Sequence, residues 1–255
     1  MPLIKNPSNI DNLLFSTGRL RTGRVGPAGV YTKATGTGAS AAVANTAGLL
    51  MIINAGTAAS STGKVGYLDP TVSQMTASLG LIDYSRRIRF SIGGQMGMAS
   101  TNSVIRIVFG GTGSATDAPL AGVNGLTAKG FGAEFALQSG VIQARLIGFN
   151  ASYLTPTSYT TLTNGFGLAA SDTRFFGVVI ESDGGGNINL YGADSSTNPN
   201  INIGQTPLLT LTGGPTNSTS SNRNGPEVHC SNSSSLPTSS PSAIFQSTFW
   251  LLDVQ

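Results

Sequence analysis

The side chains in this 255-residue sequence that could do covalent or metal chemistry are few and scattered. The one histidine and the one cysteine stand side by side in the run Glu227-Val228-His229-Cys230. A zinc site needs about four His, Cys or carboxylate ligands brought together, more His and Cys than the chain owns. Alternation along a strand puts Val228 and Cys230 on one face and His229 on the other, so Cys230 is predicted to be a buried structural thiol, with no partner for an internal disulfide. A Ser-His-Asp centre would have to run through His229, yet the G-x-S-x-G elbow that lifts a nucleophilic serine out of a sheet is absent. The glycine-rich stretch GGTGSAT at 110–116 lacks the lysine and the following helix of a phosphate cradle and is predicted to be a hairpin loop. Calcium needs several convergent oxygens, and the 11 acidic residues are too dispersed to define such a set. No catalytic residue, no metal site and no cofactor is therefore expected.

Two groups of residues suit binding instead. Tyr153 and Tyr159 lie in the polar stretch ASYLTPTSYTTLTNG, and an exposed aromatic ring with amide or carboxylate neighbours can stack on a sugar and hydrogen-bond its hydroxyls. Packing within the protein itself is the competing use of both rings. Arg19, Arg21 and Arg24 form a sparse basic cluster near the N-terminus. Residues 1–33 hold five basic residues against Asp11, a net of +4, while the remaining 222 residues hold nine basic and ten acidic groups. The excess positive charge can meet an acidic neighbouring subunit or a polyanion. Three arginines do not single out nucleic acid, and a subunit contact is the expected use.

The elements that must position these residues are strands. In RRIRFSI, Ile88, Phe90 and Ile92 share one face, and in SVIRIVFGG, Ile105, Ile107 and Phe109 do the same, opposite Val104, Arg106 and Val108. GFGAEFALQSGVIQARLIGF reads as two strands joined at Ser139-Gly140, and RFFGVVIES-DGGG-NINLYGA as a second hairpin turning on Asp183 to Gly186. ASAAVANTAGLLMIINAG, 39–56, is predicted to form two short strands between glycines. The Ser/Thr/Asn/Gly/Pro-rich segment 212–243 is predicted to be loop, apart from a strand at EVHC. AIFQSTFWLLDVQ closes the chain as a strand, with Phe245, Phe249 and Leu251 expected on one face and Gln246, Thr248 and Trp250 on the other.

Composition agrees with this reading. Apolar residues make up 39% of the chain and charged residues 10%, far below the roughly 25% charged of an average soluble domain. With 34 glycines, this is a strand-and-turn composition in which low charge weakens the repulsion that keeps proteins apart. Residues 1–35, broken by Pro2, Pro7, Pro27 and four glycines, are predicted to be an extended basic N-terminal arm, held by a neighbouring subunit. Residues 36–255 are predicted to form one sandwich domain. The N-terminal sequence lacks the apolar core of a signal peptide, and AGLLMIINA at 47–55 is too short to span a membrane. Synthesis in the cytoplasm is the expectation. The Asn-x-Ser/Thr triplets at Asn150, Asn217 and Asn232 are read as products of a Ser/Asn-rich composition.

From about residue 85 to 195, the strand ending in VFGG, the strand GFGAEF, its partner VIQARLIGFN and the hairpin RFFGVVIESDGGGNINLYGAD follow one another in an order that resembles concanavalin A-like lectin/glucanase jelly rolls. The tail, TGGPTN…EVHC…FWLLDVQ, is similar to their closing strands. The resemblance implies an all-β, concanavalin A-like jelly-roll β-sandwich, of the kind found in lectins, glycoside hydrolases and virion or tail-spike proteins. Glucanases of this class carry E-x-D-x-x-E or E-x-D-x-E, one carboxylate protonating the leaving oxygen and another acting as nucleophile. Here Glu181-Ser182-Asp183 begins such a set, but Gly185 and Gly186 occupy the third position, and Asp183 opens a turn in which Asp hydrogen-bonds locally. These residues lead to an expected role as a non-enzymatic structural protein of a virion or similar extracellular assembly (capsid, spike or fibre), self-associating as a homo-oligomer or contacting other virion subunits. The alternative is a lectin or receptor-binding module that takes a cell-surface glycan through Tyr153 and Tyr159.

Overall fold

The structure, a computed structural model, describes residues 13–17, 30–43, 51–68, 84–110, 126, 128–166, 175–194, 206–216, 224–233, 235 and 243–254. Within them run β1 (Leu13–Thr17), β2 (Val30–Thr35), β3 (Ser40–Val43), β4 (Met51–Asn54), β5 (Thr62–Leu68), β6 (Ile88–Met98), β7 (Ser103–Gly110), β8 (Gly130–Gln138), β9 (Val141–Phe149), β10 (Thr160–Phe166), β11 (Phe175–Ser182), β12 (Asn187–Asp194), β13 (Leu209–Thr212), β14 (Asn224–Asn232) and β15 (Ala243–Val254). They form two antiparallel sheets. One has eight strands, in the order β13-β12-β11-β6-β15-β4-β3 with β1 also on β15. The other has seven, in the order β10-β9-β8-β7-β14-β5-β2. The chain changes sheet repeatedly, so β14 comes to lie between β7 and β5, and β15 between β6 and β4.

The period-two pattern explains how the sheets stack. Ile88, Phe90 and Ile92 of β6, Val178 and Ile180 of β11, and Ile188 and Leu190 of β12 meet Ile105, Ile107 and Phe109 of β7, Phe131 and Phe135 of β8, and Ile142 and Leu146 of β9 in one buried core. Each such side chain contributes about 1.5–3 kcal/mol on leaving water, which makes the inward register hard to slip. Val228 and Cys230 belong to this core, and His229 lies on the other face of β14, as the sequence indicated. Both expected hairpins form. Ser139 and Gly140, at φ 50° and 83°, make the two-residue turn between β8 and β9, and Gly184 and Gly186, at φ 80° and 94°, turn β11 into β12. The run 39–56 supplies β3 and β4 as two short strands.

One alternation breaks. The register of β15 on β6 skips a residue between Ser247 and Phe249, so Phe245 lies opposite Met96 but Phe249 opposite Gly93, three residues away along β6. An odd displacement interrupts the alternation that the uninterrupted pattern had suggested for this strand. Toward the N-terminus, β1 pairs with β15 and β2 with β5, both within this chain's own sheets. Arg19, Arg21 and Arg24, and residues 111–116 of the glycine-rich stretch, lie outside the described residues.

Candidate functional site

The outer face of the seven-stranded sheet, turned away from the core, carries a row of polar residues in direct cross-strand register. Lys33 of β2 pairs with Lys64 of β5, Lys64 with His229 of β14, His229 with Arg106 of β7, Arg106 with Glu134 of β8, and Glu134 with Arg145 of β9. Thr160 of β10 lies opposite Ala144, which places Tyr159 at the end of this row. With strands about 4.8 Å apart, the row crosses the full width of the sheet. Lys64, His229, Arg106 and Glu134 are all buried, and Glu227, the next outward position on β14, is buried as well. Charged groups this far from water persist only when paired and hydrogen-bonded.

Glu134 is the centre of the row. Its Oε2 accepts from Arg106 Nε at 2.6 Å, and its Oε1 accepts from Arg145 Nε at 2.8 Å and from the Tyr159 hydroxyl at 2.6 Å. Arg145 Nη2 stands 2.6 Å from the same Oε1, and the Arg145 guanidinium lies over the Tyr159 ring, 4.7 Å from its centroid. Burial pushes the Glu134 carboxyl upward, but Arg106, the Tyr159 hydroxyl and Arg145 together outweigh it and hold the group below its ordinary value. The same surroundings raise Tyr159, first by burial and then by the Glu134 charge and the hydrogen bond to it. Tyr153 is half-buried, bridged to Phe149 and packed beside Val108, Leu126 and Ile147. At this end the row comes to the surface: the Arg145 side chain is 18% exposed, Tyr159 and Gln143 are part-exposed, and Thr161, which accepts from Gln143 Nε2 at 3.2 Å, is exposed.

At the β14 end, His229 Nε2 lies 2.7 Å from Glu227 Oε2, while Nδ1 is buried without a hydrogen-bond partner. Burial lowers the affinity of His229 for a proton; Glu227 opposes this, and Lys64 and Arg106 add to it. Ser231, the outward position on the far side of His229, is likewise buried with its hydroxyl unpartnered, so no serine–histidine bond is made. A second cluster stands on the eight-stranded sheet, where Glu181 accepts from Arg89 Nε at 2.5 Å and from Asn189 and Tyr191 at 3.3 and 3.4 Å. Asp183 accepts from the backbone N–H groups of Gly185 and Asn187 at 2.7 and 2.9 Å and from Asn187 Nδ2 at 2.6 Å, the local turn role its position suggested.

These pairings commit the carboxylates described above to partners within the protein. A glycosidase acid must hold a proton near neutral pH and its nucleophile must face the substrate. Glu134 and Glu181 instead bind arginines, Glu227 binds His229, and Asp183 ties down a turn. Among the described residues no group of three or more His, Cys, Asp and Glu could hold a metal ion. Asn232 joins two strand ends, its amide donating to Gly56 O, Ala58 O and Ser61 Oγ while its Oδ1 accepts from Ser103 Oγ.

Of the residues singled out in the sequence, Tyr153 and Tyr159 are both brought to the outer face of the seven-stranded sheet, around Glu134 and its neighbours. Glu134, Arg106 and Arg145 were not singled out. A signal for them was present: one ionisable residue sits mid-strand among apolar neighbours in VIRIV, GAEFA and QARLI. What the sequence cannot supply locally is the register that lines them up.

No family model matches this sequence, and no curated protein is similar to it. Solved structures are similar in shape. The legume lectin-like domain from Entamoeba histolytica matches with a TM-score of 0.50 and 8% identity, over 94% of this chain and 96% of that one. A point mutant of HCR D/C VPI 5995 matches with a TM-score of 0.51 and 10% identity, over 95% of this chain and 49% of that one, so this chain spans about half its length. The receptor binding domain of botulinum neurotoxin mosaic serotype C/D matches more loosely, with a TM-score of 0.46 and 8% identity, over 95% of this chain and 47% of that one. At such identities the first two likenesses concern the path of the chain alone, and they agree with the strand order: this is an all-β, two-sheet antiparallel sandwich of the jelly-roll, concanavalin A-like kind.

Proposed function

We propose that this domain is a non-catalytic binding module that recognises carbohydrate at the β8-β9-β10 end of the outer face of the seven-stranded sheet. The observation that carries the reading is the assembly of Glu134, Arg145 and Tyr159, in which a carboxylate, a guanidinium and an aromatic ring fix one another. Saccharides are bound by rigid rings that cover their apolar faces and by polar groups already oriented toward their hydroxyls, because ordering flexible side chains on binding costs affinity. Tyr159 and Arg145 are already ordered in this way, Tyr153 stands near them, and Gln143 and Thr161 add an amide and a hydroxyl on the adjoining surface. The likeness in fold to a lectin-like domain is consistent with the reading and adds nothing about ligand.

A structural role in a virion has less behind it. That reading asked a neighbouring subunit to hold residues 1–35, whereas 13–17 and 30–35 are already paired in this chain's own sheets. The test is binding of the purified protein to an immobilised saccharide panel, with Tyr153→Ala as the comparison. Selective binding weakened roughly tenfold or more by Tyr153→Ala, as expected for loss of an aromatic contact, supports the module; a blank panel, or binding indifferent to Tyr153, overturns it.

A further inference from the structure

We infer that the saccharide taken at this face carries an anionic group, a carboxylate or a sulfate, and that the Arg145 guanidinium is what recognises it. The inference rests on the carbohydrate reading above and narrows its ligand class. Arg145 is held on two sides: Nε and Nη2 are engaged by Glu134 Oε1, and the guanidinium carbon lies over the Tyr159 ring, 4.7 Å from its centroid. A guanidinium has five N–H donors in a fixed plane. Glu134 engages the Nε/Nη2 edge, which leaves the two donors of Nη1 and the second donor of Nη2, in a side chain 18% exposed. That remaining edge is the one that accepts a carboxylate or sulfate through two parallel hydrogen bonds, and anchoring the arginine beforehand removes the rotamer entropy the contact would otherwise cost.

The charge beside it points the same way. Glu134 divides its carboxylate between Arg145 on Oε1 and Arg106 on Oε2, so the Arg145 guanidinium is paired through one oxygen only. A neutral sugar would gain little from such a group, whereas an anionic one would gain a charge-assisted pair at a partly desolvated site. The Tyr159 hydroxyl and the Glu134 oxygens are turned toward one another and not toward the anion, so Arg145 supplies the selectivity and the tyrosines and Gln143 supply contact with the rest of the sugar.

The experiment compares four ligands by calorimetry or interferometry: sialyllactose against lactose, and sulfated against unsulfated N-acetyllactosamine. Each is measured with the wild type, Arg145→Lys and Arg145→Gln, and thermal melts confirm that the variants fold. The expected result is a preference of roughly tenfold or more for at least one anionic member over its neutral parent, lost in Arg145→Gln and largely lost in Arg145→Lys, which keeps the charge but not the planar fork. The sialylated and sulfated arms tell carboxylate from sulfate recognition. Equal binding of charged and neutral partners that is still sensitive to Tyr153→Ala overturns the anionic assignment while leaving the carbohydrate reading intact. A preference that survives Arg145→Gln also overturns the assignment, and absence of binding to all four ligands together with a blank saccharide panel removes the reading on which it rests.

Discussion

Replacing Glu134 by Gln tests the row at its centre. The substitution keeps the size of the side chain and removes the one charge that faces both Arg106 and Arg145. The Glu134 and Arg106 side chains are 1% and 5% exposed, so water cannot take over the lost pairing. Removing one partner of a buried ion pair costs about 3–5 kcal/mol, most of it the penalty of leaving the other charge uncompensated. An amide can still accept through its one oxygen, but its NH2 group would face a guanidinium or the Tyr159 hydroxyl. For a chain of this length, about 3–5 kcal/mol corresponds to a fall of roughly 6–20 °C in Tm. Urea denaturation at neutral pH measures the loss, and a triple variant Arg106→Met/Glu134→Leu/Arg145→Met should lose less than Glu134→Gln alone, because it removes both guanidiniums together with the carboxylate that faces them. The pH dependence gives a second handle. Because the folded-state value of Glu134 lies below the unfolded one, its contribution is fully present above about pH 4.3 and is lost as pH falls through the folded value. Glu134→Gln should flatten that limb. A loss under about 1 kcal/mol at neutral pH, the range of an exposed pair, together with an unchanged acid limb, would refute the buried-row reasoning.

Other consequences are simpler to check. His229 is held neutral by burial, so as pH drops below about 6.5 the unfolded chain takes up a proton that the folded chain resists, and stability falls; His229→Gln should reduce the slope of the denaturation midpoint between pH 7 and 5. Gly184 sits at φ 80° with an added Cβ directed at the Ser85 carbonyl, so Gly184→Ala should cost at least roughly 1–2 kcal/mol, seen as a lower urea midpoint at unchanged slope. The Cys230 thiol is buried, and burial pushes its pKa up, so a thiol reagent should label the protein only under unfolding conditions; rapid labelling of the native protein would contradict its place in the core.

What was legible in the sequence was whatever is encoded over a few residues. The alternation at Ile88-Phe90-Ile92 fixes a strand and its inward face, Ser139-Gly140 and Asp183-Gly184 fix two turns, and Val228-His229-Cys230 fixes which of three neighbours is buried against the core. The tyrosines could be singled out because aromatic rings in a polar stretch are unusual. The row through Lys64, His229, Arg106, Glu134 and Arg145 was not legible. Lys64 and His229 come together only because β5 and β14, far apart in the chain, are hydrogen-bonded neighbours. Arg106 occupied an outward position that alternation assigns to solvent, and nothing local distinguishes a solvated outer face from one that is buried. The skipped residue at Ser247–Phe249 was hidden for a related reason: a bulge is set by the partner strand, while the sequence AIFQSTFWLL alternates acceptably in more than one frame.

The central claim is that the β8-β9-β10 end of the seven-stranded sheet's outer face binds sugar, and amide chemical-shift mapping during a titration with sialyllactose tests it most directly. The account predicts saturable shifts centred on Gln143, Arg145, Tyr153, Tyr159 and Thr161, with residues around Glu181 on the opposite sheet unmoved. Shifts that gather around Glu181 and Asn189 instead, or a spectrum unchanged at saturating sugar, would contradict it.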